Sequence, residues 1–186
     1  QVCKDAAALL PKDPDAQREL GLLRLAAREH GAGLAAIQLA VNLAPGRADL
    51  HRTLGWALLS LHRAKPALVP LAEAVRLAPG DPYARTLLGD ALWATAQTRH
   101  AEAAYRQAAA MTTGAPVHRA EALDKLGTLW AHQGRRAKAE AVLKACLERY
   151  PYLGCPYTKV ALLPANPDRI PGSEPVRTYR APPPDK

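Results

Sequence analysis

Small and large apolar residues alternate along this chain at helical intervals, and the whole pattern recurs. A Leu-Gly pair stands at Leu20–Gly21, Leu54–Gly55 and Leu88–Gly89, with the three glycines spaced by 34 residues. A fourth pair, Leu126–Gly127, follows after 38. If each glycine is numbered eighth in its repeat, the copies begin at Pro14, Ala48, Pro82 and Ala120. Other columns then align. Position 20 holds Gly33, Ala67, Ala101 and Ala139, and position 24 holds Ile37, Leu71, Tyr105 and Leu143. Position 27 holds Ala40, Ala74, Ala108 and Cys146, and position 32 holds Pro45, Pro79, Thr113 and Pro151. The pattern predicts two antiparallel helices per repeat, A and B. Small side chains let their axes approach and large ones fill the space between them. The proline ends helix B. One such pair cannot bury its own apolar face, so stacked neighbours must supply the missing surface.

The boundaries follow from the same columns. Four repeats span 14–47, 48–81, 82–119 and 120–151, and residues 1–13 read as the end of a helix B from a preceding copy, with Ala6 and Pro11 on positions 27 and 32. Met111–Arg119 carries four extra residues, close to one helical turn. The third helix B is therefore expected to run longer before Gly114 and Pro116 stop it. Pro66 suits a first turn, whereas Pro70 is expected to weaken or bend the second helix B. After Pro151 the period is lost. The Pro-rich segment 152–186 predicts an extended or disordered tail, in which Tyr157–Leu163 is apolar enough to pack.

This arrangement resembles the tetratricopeptide-repeat (TPR) family, whose signature is large at positions 4, 7, 11 and 24, small at 8, 20 and 27, and Pro at 32. Gln17, Arg24, His51, Arg85 and Thr113 depart from it. The resemblance covers residues 14–151 and implies an all-α right-handed superhelix whose A helices line a concave groove. In the family, positions 2, 5, 6, 9, 12 and 13 face that groove. Here they are Asp15, Arg18, Glu19, Leu22 and Leu25, then Asp49, Arg52, Thr53, Trp56 and Leu59. The third repeat contributes Tyr83, Thr86, Leu87, Asp90 and Trp93, and the fourth Glu121, Asp124, Lys125, Thr128 and His132. Trp56 and Trp93 thereby become candidate binding anchors, since an exposed indole brings large area at little entropy cost. The alternative is that they pack sideways on the neighbouring repeat. Trp130 falls on position 11, a packing position. Acids outnumber bases among the groove positions, which suits a partner with apolar and basic side chains. The Lys/Asn clamp by which some family members hold chaperone C-termini is absent. Its places are taken by Arg18/Leu22, Arg52/Trp56, Thr86/Asp90 and Asp124/Thr128.

Composition narrows the function further. Ala dominates the 48% of hydrophobic residues, Phe is absent and Met occurs once, which fits thin helical layers better than one large core. The formal net charge is +8. Arg63, Lys65, Arg76, Arg99, Arg106, Arg135, Arg136, Lys138 and Lys144 fall on B helices and loops. That convex face is either a site for an acidic partner, such as nucleic acid or a membrane surface, or a solvated surface. Missing interleaved aromatics argue against a single-strand nucleic-acid binder. No phosphate loop, HExxH or GxSxG is present, so neither catalysis nor a cofactor or metal is expected. Cys146 and Cys155 are a possible disulfide in an oxidising compartment, the alternative being a buried thiol and an unrelated loop thiol. No apolar run reaches the ~18–20 residues of a membrane span. The chain is expected to be soluble, in cytoplasm or periplasm if bacterial. Opening on Gln1 without a signal-peptide pattern, it reads as a piece of a longer protein. The expected role is a protein-interaction scaffold or adaptor. The Ala-, Leu- and Arg-rich composition and family analogy suggest bacterial envelope, secretion or pilus assembly. The alternatives are self-association through the repeat ends and autoinhibition by the tail.

Overall fold

The computed structural model describes residues 12–150, and all the regular structure in them is helical. Helix α1 is Pro14–Ala26, α2 His30–Leu43, α3 Ala48–Ser60, α4 Ala64–Leu77, α5 Pro82–Ala94, α6 Thr98–Ala110, α7 Pro116–His132 and α8 Arg136–Arg149. Odd-numbered helices are the A helices and even-numbered ones the B helices, so each expected repeat is one antiparallel pair. The half-repeat, apart from Lys12 and Asp13, and the tail lie outside the described residues.

Each pair closes on the same contact. A Cβ added to Gly21 or Gly55 would fall within 3.0 Å of Ile37 or Leu71 respectively. At Gly89 it would stand 2.5 Å from Tyr105 Cε1, and at Gly127 2.6 Å from Leu143 Cδ2. Position 24 of every repeat thus lies on the bare backbone of position 8, and all four position-24 side chains are buried. The second small column works in the same way where it is tightest. A Cβ on Gly33 would meet Leu25 Cγ at 2.8 Å and the Gly21 carbonyl at 2.9 Å.

The core runs across repeats rather than within them. Ile37, Val41, Leu50, Leu54, Leu58, Leu71 and Leu87 form one buried cluster through the first three repeats. Ala101, Tyr105, Leu126 and Leu129 form another across the third and fourth. Position 4, where large apolar residues were missing, serves a polar purpose twice. His51 Nε2 lies 2.9 Å from the Pro45 carbonyl, and Arg85 Nη2 donates to the Pro79 carbonyl at 3.0 Å. Both carbonyls belong to position 32 of the preceding repeat, so these side chains fasten each helix A to the turn before it.

All four A helices end alike. Arg28, His62, Ala96 and Gly134, each at position 15, have φ of 64°, 57°, 62° and 73°. Their N–H groups, and those of the residues following, return to carbonyls three and five residues back, as in Glu29 N to Arg24 O at 2.8 Å. This is the Schellman arrangement, in which a left-handed residue satisfies the last carbonyls. Only the fourth copy uses glycine for it.

One expectation needs correction. The four extra residues do not lengthen the third helix B, because α6 stops at Ala110 like its counterparts. They add a first turn to α7, which has 17 residues where the other A helices have 13. Pro116 is welcome at a helix start, where its missing N–H has no partner to lose. Gly114, with φ of 73°, turns the chain against Pro82, and Thr113 Oγ1 donates to the Gly80 carbonyl at 2.6 Å. Pro70 is buried within α4, which remains helical past it to Leu77.

Two stability tests follow from these contacts. Gly89→Ala gains ~1 kcal/mol of helix propensity but forces Tyr105 out of its seat, so a net loss of roughly 1–2 kcal/mol is expected in urea unfolding. Gly31→Ala, with nothing within 4 Å, should lose nothing. Ala96→Gly relieves a left-handed alanine and should raise stability by about 0.5–1 kcal/mol, the reverse of the usual effect of glycine in a helical protein.

Candidate functional site

The A helices touch one another directly along the array, α1 to α3, α3 to α5 and α5 to α7, while among the described residues no such contacts join the B helices. The A side is therefore the shorter, inner face. On it lies a cleft of about 250 Å³ lined by Leu22 of α1, Arg52, Thr53 and Trp56 of α3, and Tyr83 of α5. Trp56 is 40% exposed, the most open of the large apolar groove side chains. Arg52 pairs with Asp81 and holds its guanidinium 5.5 Å from the Tyr83 ring centre. Asp81 is itself the N-cap of α5, its Oδ1 accepting from the N–H groups of Tyr83 at 2.9 Å and Ala84 at 3.2 Å. Tyr83 also stacks with His118, ring centres 4.4 Å apart. Burial pushes the Tyr83 hydroxyl above its ordinary range, which keeps it neutral. The cleft thus has an aromatic and aliphatic floor, with one guanidinium fixed at its edge.

Polar groups elsewhere on this face are committed to one another. Arg47 bridges two repeats, reaching Asp15 Oδ2 at 2.7 Å and Asp49 Oδ2 at 2.6 Å. Arg18 also reaches Asp49 at 3.0 Å. Hydrogen bonds from Arg47 hold both carboxyls below the usual Asp range and raise the guanidinium in turn. Asp90 accepts from the Tyr105 hydroxyl at 2.6 Å and from Lys125 Nζ at 3.0 Å. Burial, reinforced by the Asp90 carboxylate, pushes the Tyr105 hydroxyl far up. Desolvation raises Glu121, which lies 3.8 Å from His118 Nδ1. The acidic character counted from the groove positions is therefore largely neutralised within the protein.

Of the sequence-predicted residues, the cleft brings together Leu22, Arg52, Trp56 and Tyr83. Asp15, Arg18 and Asp49 form the ion network beside it. Thr86 and Asp124 do not face the groove. They are 0% and 1% exposed, because position 5 points partly towards the neighbouring helix. Arg18 and Arg52 are long enough to emerge from that position, whereas a threonine or aspartate is not. Thr86 donates to the Pro82 carbonyl at 2.8 Å, and Thr128 to the Asp124 carbonyl at 3.0 Å. Trp93 takes the sideways alternative. It packs with Trp130 against Ala101, Tyr105, Leu126 and Leu129 and meets His132 edge-on at 5.4 Å. Trp130 packs as expected, with Arg135 5.3 Å from its ring centre. Three residues escaped the sequence reading. Asp81 carried a signal, an acid just before a helix-starting proline. Arg47 and His118 carried none, since one lies in a turn and the other in the insertion. Cys146 is disulfide-bonded, and Cys155 lies outside the described residues. Among the described residues, no group of three His, Cys, Asp or Glu could hold a metal, and no helix is long and apolar enough to cross a membrane.

A larger apolar cleft of about 440 Å³ lies between α2 and α4, lined by Leu34, Ala35, Gln38, Leu54, Leu58, Pro66, Val69 and Pro70. It offers only Gln38 to orient a ligand, so the inner cleft is the stronger candidate.

Of the three indoles only Trp56 lines a cleft, while Trp93 and Trp130 pack on the core. Acrylamide should quench Trp56 strongly in a Trp93→Phe/Trp130→Phe protein, and quench Trp93 and Trp130 weakly in a Trp56→Phe protein. Equal quenching in both proteins would mean that Trp56 is not the open ring.

No protein-family model matches the chain, and no curated protein matches it in sequence. Solved structures do match in shape. TTC0263, a thermophilic TPR protein of Thermus thermophilus, superposes with a TM-score of 0.71 at 23% identity, over 87% of this chain and 88% of that one. MamA of Desulfovibrio magneticus RS-1, from residue 41 to its end, gives 0.68 at 21% identity over 78% and 80%. PilF of Pseudomonas aeruginosa gives 0.64 at 19% over 73% and 60%. Taken with the 34-residue period and the seating of position 24 on the position-8 glycine, these likenesses show that the chain has the tetratricopeptide-repeat fold.

Proposed function

We propose that this protein is a non-catalytic scaffold whose inner face holds an extended segment of a protein partner. The observation that carries the reading is the cleft of Leu22, Arg52, Thr53, Trp56 and Tyr83, with its half-open indole. A concave, mostly apolar site with a few oriented polar groups is the usual form of a binding site. An indole at its centre is the usual form of an energetic anchor. Since the neighbouring acids are already paired with Arg18, Arg47 and Lys125, selectivity rests on an apolar side chain seated against Trp56 more than on charge. Main-chain carbonyls of the segment can use whatever donor capacity of Arg52 is left beside Asp81. The setting we propose, on the Ala-, Leu- and Arg-rich composition, is an assembly process of the bacterial envelope.

Peptides selected from a random display library on the intact protein test this reading. Trp56→Ala should weaken the selected peptides at least tenfold, equivalent to roughly 1.4 kcal/mol or more. Leu39→Ala, on the outer face, should leave them unchanged. Peptides that bind the Trp56→Ala protein with undiminished affinity would rule the cleft out.

A further inference from the structure

The two long edges of the solenoid differ in charge. At the edge where each helix B leads into the next helix A, Asp13, Asp15, Asp49 and Asp81 cap or enter the A helices. Side chains from adjacent repeats meet there, as Arg18 with Asp49 and Arg47 with Asp15, so these helix starts lie side by side. The A-to-B turns therefore line the opposite edge. There Arg28, Arg63, Lys65, Arg99, Arg136 and Lys138 are all exposed, and none makes an ion pair among the described residues. Arg135 is held by Glu102 at 2.8 Å, and Glu29 is the one acid within the turns themselves. Most of the bases expected on the convex face are thus gathered on one edge instead.

Helix stability does not explain them. Four B helices begin at this edge, and the positive end of each helix dipole favours acids in the first turn. None of α2, α4, α6 and α8 has an acid there, and none has a side-chain cap. Lys65, Arg99, Arg136 and Lys138 stand where the local field disfavours them. On the other edge, where the same field acts on the A helices, Asp13 and Asp81 do cap α1 and α5.

We propose that the A-to-B edge docks electrostatically on an anionic lipid surface. Three features select this partner over other polyanions. The inner cleft is lined by A-helix residues and the outer one includes none of these cations, so neither sets an acidic peptide's side chains against them. Its turns hold no Trp, Tyr or Phe for a base to stack on, and His62 is the one ring in them, with small residues such as Ala32, Ala96 and Ala137 beside other cations. A sheet of anionic headgroups needs neither feature, and cations repeated in every turn add their attractions. Leu61 is the one large apolar side chain in the turns and is partly buried, so the contact is chiefly electrostatic, reversible and salt-sensitive. Docked by this edge, the protein keeps its inner cleft open to a partner alongside the membrane.

The test is co-sedimentation of the full chain with phosphatidylcholine vesicles, with and without phosphatidylglycerol. Binding is expected only with phosphatidylglycerol and should fade as salt is added. The variant Lys65→Glu/Arg99→Glu/Lys138→Glu should bind roughly tenfold less or weaker still. Arg76→Glu/Arg106→Glu/Lys144→Glu makes the same change in net charge on the outer face and should lose far less. The edge variant should also melt no lower than the wild type, because it places acids at helix starts. The proposal fails if the wild type does not bind at low salt, if both variants lose equally, or if the edge variant melts lower. It also fails if duplex DNA strips the protein from vesicles at equal phosphate concentration, which would make nucleic acid the better partner.

Discussion

A branched or aromatic side chain resting on a glycine backbone closes each helix pair, and the rest of the architecture depends on that contact. It sets how near helices A and B can lie. Because it recurs four times, with Ile37, Leu71, Tyr105 and Leu143 in the same seat, the pairs share one shape and can stack. Stacking brings the A helices together, and only then do Leu22, Arg52, Trp56 and Tyr83, drawn from three repeats, share a cleft. The third seat does more than fill space. Tyr105 carries a hydroxyl beyond its ring to Asp90, and Asp90 receives Lys125 from the next repeat. One packing residue thereby connects three helices.

Polar residues divide their work by position. Those near the helix starts of the inner face hold successive repeats in register, as with Arg47 between Asp15 and Asp49, or Arg52 against the capping Asp81. Partly exposed pairs of this kind contribute modestly to stability, but they orient side chains. Their effect is to neutralise charge along the inner face. What stays available there is aromatic and aliphatic surface, so that under the proposed function the inner face would read shape more than sign.

The fold was legible because its central requirement tolerates few residues. A position that would place a Cβ within 3.0 Å of a neighbour admits little but glycine, and a glycine recurring every 34 residues is conspicuous. The site was legible only in part, for reasons of side-chain length and neighbourhood. The same groove position gives an emerging Arg52 and a buried Thr86, and a repeat number does not record how far a side chain reaches. Trp56 and Trp93 differ because of the residues beside them, since Trp93 meets His132 and the Leu126–Leu129 surface. The insertion was assigned to the wrong helix because a proline marks a boundary without saying on which side the extra turn falls. His51 and Arg85 looked like packing failures, because a hydrogen bond to a carbonyl in the preceding repeat leaves no trace in a hydrophobicity pattern.

The uneven joining of the repeats has a mechanical consequence. Direct A-to-A contacts make the inner face a rail of nearly fixed length, whereas the B helices stand apart from one another on the outside. Bending such a strip alters the outer gaps first, including the one between α2 and α4, and leaves the spacing of inner side chains almost untouched. Curvature and the spacing of the inner side chains are in this way decoupled. In such a strip the distances between Leu22, Trp56 and Tyr83 depend little on how the outer helices are spaced.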